Sequence, residues 1–268
     1  MVNGFGEIVK SGGRVKKNVT GLDLVKLACG AHGTLGLLTE VTFKLLPEPE
    51  TTATLALHGL DDGTGIAALS MGLTSPFQVT GAAHLPGGIA SPDVEALTLL
   101  RLEGAAVSVN YRSGALAKLV AGFGAAEVLP AERAETLWRE IRDAAALAAP
   151  REAAIWRLSV APSRGAEVVA AVKRNLAARA FYDWGGGLVW LAVPAGGDAG
   201  AAVVRQALAE AAGREGGHAT LIRAPEEIRS RVTVFEPVSA PLMQISAGIK
   251  ASFDPDRIVN PGRMYAGI

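Results

Sequence analysis

The segment Pro47-Glu48-Pro49-Glu50 separates two stretches of the chain that differ in composition. Proline has no backbone donor and a fixed φ, so two prolines two residues apart cannot continue a central strand. Gly, Thr and Asn are frequent before this segment, whereas Ala-, Arg- and Leu-containing segments alternate with short apolar runs after it. The sequence therefore predicts a domain boundary here, and 268 residues suffice for one large or two ordinary domains.

Beyond Pro49, strand-like and helix-like patterns alternate along the chain. Strands show apolar and polar residues in turn, and helices show apolar residues at helical spacing. Strands are predicted at 51–58, 77–84, 96–102, 155–160, 188–193 and 218–223, and helices at about 61–72, 106–123, 131–148, 165–178, 199–212 and 241–253. Strands separated by such helices indicate α/β units packed in two layers, although the pattern does not give the topology.

The first 47 residues predict strand, turn, helix, glycine loop and strand. Phe5 to Lys10 is typical of a short strand, and a helix is expected from Thr20 or Gly21 to a C-terminal cap at Gly30. The run 30–36 contains too many glycines for the interior of a helix or strand. Residues 37–46 alternate with period two, which predicts a half-buried strand.

Composition and charge exclude several classes of protein. Lys plus Arg and Asp plus Glu are 26 each, so a nucleic-acid partner is not expected. The single cysteine, Cys29, rules out an internal disulfide framework and is expected to be a small buried side chain. The N-terminus has no signal-peptide pattern, and no apolar run is long enough for direct membrane insertion. These features predict a cytoplasmic protein.

Most of the common catalytic motifs are absent from the sequence. There is no Gly-Lys-Ser/Thr phosphate loop, no Gly-x-Ser-x-Gly elbow and no His-Glu-x-x-His helix. The four histidines are not at ligand spacing, so no metal site is predicted. The loop 30–36 departs from Gly-x-Gly-x-x-Gly because residue 32 is His. Two interpretations stay open: an ordinary turn, or clustered backbone N–H groups that hold an anionic diphosphate.

Two motifs near opposite ends of the chain resemble a known superfamily. Residues 11–24 with 33–41 (Gly-Thr-Leu-Gly-Leu-Leu-Thr-Glu-Val) resemble the second half of the FAD-binding domain of vanillyl-alcohol-oxidase-like, or PCMH-type, flavoproteins. Phe253-Asp254-Pro255 and Asn260-Pro261-Gly262-Arg263-Met264 resemble the C-terminus of that superfamily. Residues 102–104, 156–160 and 217–221 add a closer likeness to the FAD-binding E subunits of bacterial glycolate oxidases.

The resemblance implies an α+β fold, the cofactor FAD and a set of cofactor-binding residues. Residues 1–47 would be the second half of the FAD-binding domain, 48–252 a cap with a mostly antiparallel sheet, and 253–268 a segment returning to the first domain. The implied cofactor-binding residues are Asn18, Thr20, Gly21, Asp23, Gly30, Gly33, Thr34, Gly36, Leu38, Asn260 and Arg263. For Asp23, a structural role in the first turn of a helix is equally expected.

The chain departs from the superfamily pattern in two ways. Other members carry an earlier stretch with a Pro-Gly-Gly-type pyrophosphate loop, so the chain is expected to be either truncated or dependent on a partner that completes the pocket. In addition, Ala31-His32 stand where many relatives have Ser and a variable residue. His32 is expected either to be solvated or to donate to the flavin or a phosphate.

The resemblance implies a function within a heteromeric complex. The chain would take part in oxidising a 2-hydroxy acid, glycolate to glyoxylate, with a glycolate oxidase D-type flavoprotein subunit and an iron–sulfur subunit as partners. Through these partners it could also lie peripherally at the inner membrane. Arg157, His218 and Arg223 are weak catalytic candidates, since Arg binds carboxylates and His can act as a base; the alternative is that they face solvent on strands. The alternative function is a non-catalytic structural subunit, or a fragment unable to bind FAD alone.

Overall fold

The structure is a computed structural model that describes residues 1–14, 21–89, 93–211 and 216–268. The chain divides into two compact units, which are described separately below. Unit 1 comprises Met1–Pro47 and Phe235–Ile268, and unit 2 comprises Glu48–Val234. The predicted boundary at residue 47 coincides with a limit of unit 1, whereas the predicted cap, 48–252, extends beyond the end of unit 2. The assignment of these units as FAD-binding domain and cap stays a prediction.

Unit 2 is built on one eight-stranded open sheet. Its strands are β1 (Thr51–His58), β2 (Gly81–Leu85), β3 (Leu97–Gly104), β4 (Glu127–Val128), β5 (Ala154–Val160), β6 (Arg179–Asp183), β7 (Leu188–Val193) and β8 (Gly217–Arg223). Their order across the sheet is β4-β1-β3-β2-β6-β7-β5-β8, and all of the pairings are antiparallel. The predicted α+β class with a mostly antiparallel sheet is therefore confirmed.

Helices cover both faces of this sheet unequally. Unit 2 contains α2 (Asp62–Thr74), α3 (Ala106–Leu119), α4 (Ala131–Arg142), α5 (Gly165–Asn175), α6 (Ala201–Ala211) and α7 (Glu226–Arg229), while α1 (Leu24–Ala28) and α8 (Ala240–Phe253) belong to unit 1. Side chains alternate between the two faces along each strand. Leu55 and Leu57 of β1 share a core with α2 and α3, whereas Ala56 between them packs against α4. The remaining large core joins α5 and α6 to β5 and β7.

The sequence patterns locate most elements of unit 2. The predicted strands at 51–58 and 188–193 have the predicted bounds. The predicted helices at 106–123 and 131–148 correspond to α3 and α4, which are shorter than predicted and are each followed by a 3-10 turn. Strands β4 and β6 were not predicted from the sequence. In β6, Ala180, Phe181 and Tyr182 are all buried, so polar alternation that would mark a strand is absent.

Two strand predictions in unit 1 are wrong. Residues 38–47 form no regular strand, and Leu37 makes only an isolated bridge to Val2, which also bridges Ile8 of the predicted strand 5–10. A strand is stabilised by pairing with a neighbouring strand, and among the described residues each of these two segments makes only one isolated bridge, to Val2. The helix expected at about 21–29 is limited to α1.

Candidate cofactor-binding site

A buried lysine joins three segments of unit 1. Lys250 lies in the last turn of α8 and is 2% exposed. Its Nζ donates to the carbonyl oxygens of Thr34 and Val259, both at 2.7 Å, and to Oδ2 of Asp254 at 2.5 Å. One ammonium group therefore fixes the glycine loop, the end of α8 and the C-terminal segment with respect to one another.

Asp254, at the end of α8, completes the environment of this ammonium group. Its carboxylate also accepts hydrogen bonds from the backbone N–H groups of Ile258 at 3.1 Å and Val259 at 2.9 Å. Burial opposes the charged form, but the hydrogen bonds from Lys250 and the two amides outweigh it and lower the pKa of Asp254. The carboxylate is therefore ionised at neutral pH, as a partner for a buried ammonium must be.

The N-terminal segment packs directly on this ion pair. The backbone N–H of Gly4 donates to the carbonyl of Phe253 at 2.8 Å. A Cβ at position 4 would lie 2.6 Å from Cα of Asp254, closer than real Cβ atoms approach. Only glycine therefore fits at this position without a shift of the backbone.

The glycine loop meets the C-terminal segment at Asn260. Nδ2 of Asn260 donates to the carbonyl of His32 at 3.1 Å, and a Cβ on Gly33 would lie 2.6 Å from the same nitrogen. The φ angles of Gly30, His32 and Gly33 are +84°, +51° and +73°. The two motifs of the sequence resemblance, 228 residues apart, are thus in contact.

The Thr34 hydroxyl has a hydrogen-bond acceptor within the glycine loop, whereas three backbone N–H groups of the same loop do not. Oγ1 of Thr34 donates to the carbonyl of Ala31 at 2.8 Å, and Thr34 is 3% exposed, so its hydroxyl serves the loop itself. By contrast, the backbone N–H groups of His32, Gly33 and Gly36 have no acceptor within the described part of the chain. These amides are donors that an anion could use.

The remaining predicted site residues lie in several environments. Asn18 and Thr20 fall outside the described residues. Asp23 is the N-cap of α1: its carboxylate accepts from the N–H of Lys26 at 3.3 Å and pairs with its ammonium at 3.1 Å, and these interactions lower the pKa of Asp23. Gly21, Leu38 and Arg263 are exposed. Cofactor contact by each of these residues stays a prediction.

The prediction that Cys29 is buried is wrong. Cys29 is exposed at the C-cap of α1, a helix without any buried residue. His32, the other residue singled out in the loop, is exposed, and its ring lies 4.8 Å edge-on from that of Phe235.

Lys250, Asp254 and Gly4 were missed as site residues by the sequence analysis. The available signal was an i, i+4 Lys–Asp pair that straddles the end of a predicted helix, followed by Pro255. That spacing is usually found on exposed helix surfaces, and nothing in the pattern indicates that this pair is buried.

Two of the three catalytic candidates lie on one face of the sheet of unit 2. Arg157 of β5 has its guanidinium 5.8 Å from the ring of Trp184, and His218 of β8 is opposite Ser159 in the register. The guanidinium of Arg223, the third candidate, is engaged by the backbone: it donates to the carbonyls of Leu147, Ala148, Pro150 and Ala153. These four bonds support a structural role for Arg223, and the catalytic roles of all three residues stay predictions.

A second polar cluster lies within unit 2, beneath α2. The Tyr182 hydroxyl donates to Oδ2 of Asp62 at 2.6 Å, and the buried His84 lies 3.4 Å from Oδ1 and contacts Thr98 at 2.8 Å. Burial and the neighbouring carboxylate raise the pKa of Tyr182. For Asp62, burial opposes ionisation, but the nearby His84, the hydrogen bond from Tyr182 and the charge of Lys173 prevail and lower its pKa.

The described ranges contain neither a candidate membrane-spanning helix nor a cluster of metal-ligating side chains. None of the helices there is both long and apolar enough to cross a bilayer. No group of three or more His, Cys, Asp or Glu side chains within the same ranges is arranged to hold a metal ion.

The fold is similar to that of a solved oxidase structure. The solved structure of 4-ethylphenol oxidase from Gulosibacter chungangensis superposes with a TM-score of 0.54 at 13% identity, over 83% of this chain and 55% of that one. At that identity, the similarity concerns the fold alone. No protein-family model matches the chain.

Sequence comparison gives a more particular relationship. The chain is 29% identical to glycolate oxidase subunit GlcE of Escherichia coli over 99% of its own length and 64% of that relative. It is also 41% identical to an uncharacterised FAD-linked oxidoreductase of Mycobacterium tuberculosis over 26% of this chain and 15% of that protein. The resemblance to the E subunits of glycolate oxidases is confirmed, and the chain spans less than two thirds of the length of GlcE.

Proposed function

We propose that this chain is an FAD-binding subunit of a glycolate-oxidase-like complex. In this proposal the complex oxidises a 2-hydroxy acid, glycolate to glyoxylate, by removing two electrons and two protons. A D-type flavoprotein subunit and an iron–sulfur subunit are the proposed partners, and the iron–sulfur subunit receives the electrons. Any association with the inner membrane would be peripheral, through these partners.

The observation that carries the proposal is the contact between Gly33 and Asn260. The glycine loop and the Asn-Pro-Gly segment are the two parts of the chain that the family resemblance assigns to the cofactor. Their contact within unit 1 is the arrangement that a shared cofactor site requires. Similarity to GlcE over 99% of the chain supports the same assignment.

The residues present fit the diphosphate part of FAD. The loop has glycines that leave room for close approach, and the amides of His32, Gly33 and Gly36 lack an acceptor in the described residues. Arg263 is exposed in the same C-terminal segment as Asn260 and offers a positive charge. Amide donors and a guanidinium group together suit a phosphate anion.

The chain's own residues would position the cofactor rather than perform the redox step. FAD, when bound, supplies the hydride acceptor for oxidation of the substrate. Lys250 keeps the loop and the C-terminal segment in register, because it donates to carbonyls of both from a buried position, and Asp254 holds Lys250 and the amide of Val259. Asn260 then fixes the carbonyl of His32, which orients the adjacent amide of Gly33.

Flavin binding by the purified chain tests the proposal. We expect absorbance at about 450 nm, the usual flavin band, in the protein isolated alone, or more flavin in the assembled complex than its D-type flavoprotein subunit accounts for. Gly33→Ala should reduce flavin content, since its Cβ would collide with Asn260 as well as strain a positive φ. Gly6→Ala is the matched control, because it imposes the same kind of strain in unit 1, at a position outside the implied cofactor-binding residues and with nothing within 4 Å.

A structural subunit without flavin is the alternative function. It is favoured by the apolar surface of unit 1, where Leu22, Leu45 and Leu46 are each more than 80% exposed. Exposed apolar patches of this kind commonly mark interaction surfaces. Colourless protein alone, together with no more flavin in the assembled complex than the D-type subunit accounts for, would contradict the FAD proposal and support this alternative.

A further inference from the structure

Unit 2 contains a cavity that the proposed function does not use. Its volume is about 470 Å³, and it lies between the sheet, α4, the loop before β3 and the turn at residues 145–149. The floor is apolar and comes from three strands and one helix: Leu85, Leu97, Phe181 and Ile141. This volume falls within the range of small-molecule sites, roughly 300–1,000 Å³.

The floor of the cavity is part of the packed core. Leu97, Ile141 and Phe181 are 5%, 3% and 1% exposed and belong to one apolar cluster. Side chains in such a core occupy defined positions, so the cavity has a defined shape. An apolar group that enters it would displace water from apolar surface, which favours binding.

One arginine holds two sides of the cavity in place. Arg179 donates to the carbonyl of Ile89 at 2.9 Å, to that of Ala149 at 3.1 Å and also to that of Ala146. Its guanidinium therefore ties the loop before β3 and the turn after α4 to the edge of β6. The charge of this arginine is partly balanced by the carbonyl dipoles that it contacts.

The remaining charges at the cavity are negative. Glu95 and Glu140 line it and are exposed, and Glu95 lies 3.7 Å from the ring of His58. Within the described residues, Glu140 has no ion pair. An incoming carboxylate would meet two carboxylates beside the Arg179 guanidinium, whose N–H groups already donate to three carbonyls. An ammonium group would find the Glu140 carboxylate, which has no ion pair within the described residues.

We propose that this cavity binds a small primary amine with an apolar body. The apolar part occupies the floor formed by Leu97, Ile141 and Phe181, and the ammonium group pairs with Glu140 at the mouth. The proposal concerns unit 2 alone and does not depend on FAD binding by unit 1.

A titration with 2-phenylethylamine, followed by ligand-observed NMR on the full chain, tests this inference. The neutral 2-phenylethanol and the anionic 3-phenylpropionate have similar shapes and isolate the effect of charge. We expect affinity to fall in the order amine, alcohol, acid. Glu140→Gln should weaken amine binding about three- to fivefold, as expected for an exposed ion pair, and leave alcohol binding unchanged.

Two further variants control for indirect effects. Glu135→Gln removes a carboxylate from the same helix that pairs with Arg139 and does not line the cavity, so it should leave amine binding unchanged. Ala145→Phe, at an exposed position on the wall, should block all of the ligands. Equal binding of amine and alcohol, equal effects of the two Glu variants, or no amine binding at about 10 mM, far weaker than a functional site needs, would overturn the proposal.

Discussion

The two units differ in what they bury. Unit 2 contains all three apolar core clusters, with side chains such as Leu100 and Trp156 almost fully enclosed. In unit 1 the described buried residues are mostly polar: Asn3, Thr34, Lys250 and Asp254, with Leu35 and Ile268. Unit 2 is therefore stabilised chiefly by apolar packing spread over many residues, whereas the order of unit 1 depends on a few polar contacts.

The largest expected effect comes from breaking the ion pair of unit 1. Asp254→Ala leaves the Lys250 ammonium buried without its counter-charge, and such a change costs about 3–5 kcal/mol. Hydrogen exchange should become much faster at residues 30–37 and 255–268, while β5 and β7 keep their protection. Asp256→Ala, two residues on at an exposed position, is the control. Equal acceleration in the sheet of unit 2 would show that the two units do not differ in this way.

The same substitution should have a large effect on stability in unit 2 and a small one in unit 1. Leu100→Ala removes a side chain that is 1% exposed in the core of unit 2 and should lower the free energy of unfolding by about 2–5 kcal/mol. Leu22→Ala in unit 1, where the side chain is 84% exposed, should change it by less than about 0.5 kcal/mol. Urea denaturation of both variants provides the measurement. A large effect of Leu22→Ala would indicate that its apolar surface is covered in solution.

Acid should loosen unit 1 before unit 2. The pKa of Asp254 is lowered in the folded state, so its contribution to stability is present above the unfolded-state value of about 3.9 and is lost as the pH falls through the folded pKa. In unit 2, Asp62 also has a lowered pKa, but burial raises that of Asp183, whose protonation favours the folded state. These two shifts oppose each other.

Limited pepsin digestion as the pH falls below about 4 would measure this difference, since a carboxyl titrates near that value. Cleavage is expected first within residues 1–47 and 235–268, and Asp254→Asn should remove the pH dependence of that cleavage. Simultaneous cleavage of both units would contradict the assignment of the effect to the ion pair.

The contrast between the units also explains which elements could be predicted. In β1 and β7 the apolar residues that produce the sequence pattern are paired and buried, so local pattern and tertiary structure agree. Residues 38–46 have an equally clear alternation, yet Val41, Phe43 and Leu45 are 57–84% exposed and unpaired in the described structure. Periodicity shows that a segment can form a strand, but not that a partner strand is available.

The candidate site shows a similar limit. The family resemblance led to Gly33 and Asn260, which are in contact, because the motifs that carry it record residue types that a close approach demands. The role of Lys250 was not visible, since a lysine in a helix is usually exposed and only the tertiary structure buries this one. Asp23 likewise has a local capping role that its position before α1 already explains.

The smallest expected effect compares two similar amide bonds. Nδ2 of Asn260 donates to the carbonyl of His32 in unit 1, and Nδ2 of Asn175 donates to that of Ala171 at 3.4 Å in unit 2. Each bond should contribute no more than about 0.5–1.5 kcal/mol. Asn260→Ala should nevertheless speed hydrogen exchange in the loop 30–36 and weaken flavin binding, because few other contacts hold that loop. Asn175→Ala should leave exchange in α5 nearly unchanged, since Val168 and Val172 anchor that helix in the core. If both variants leave exchange and flavin content unaltered, the loop is ordered by Lys250 alone and Asn260 has no positioning role.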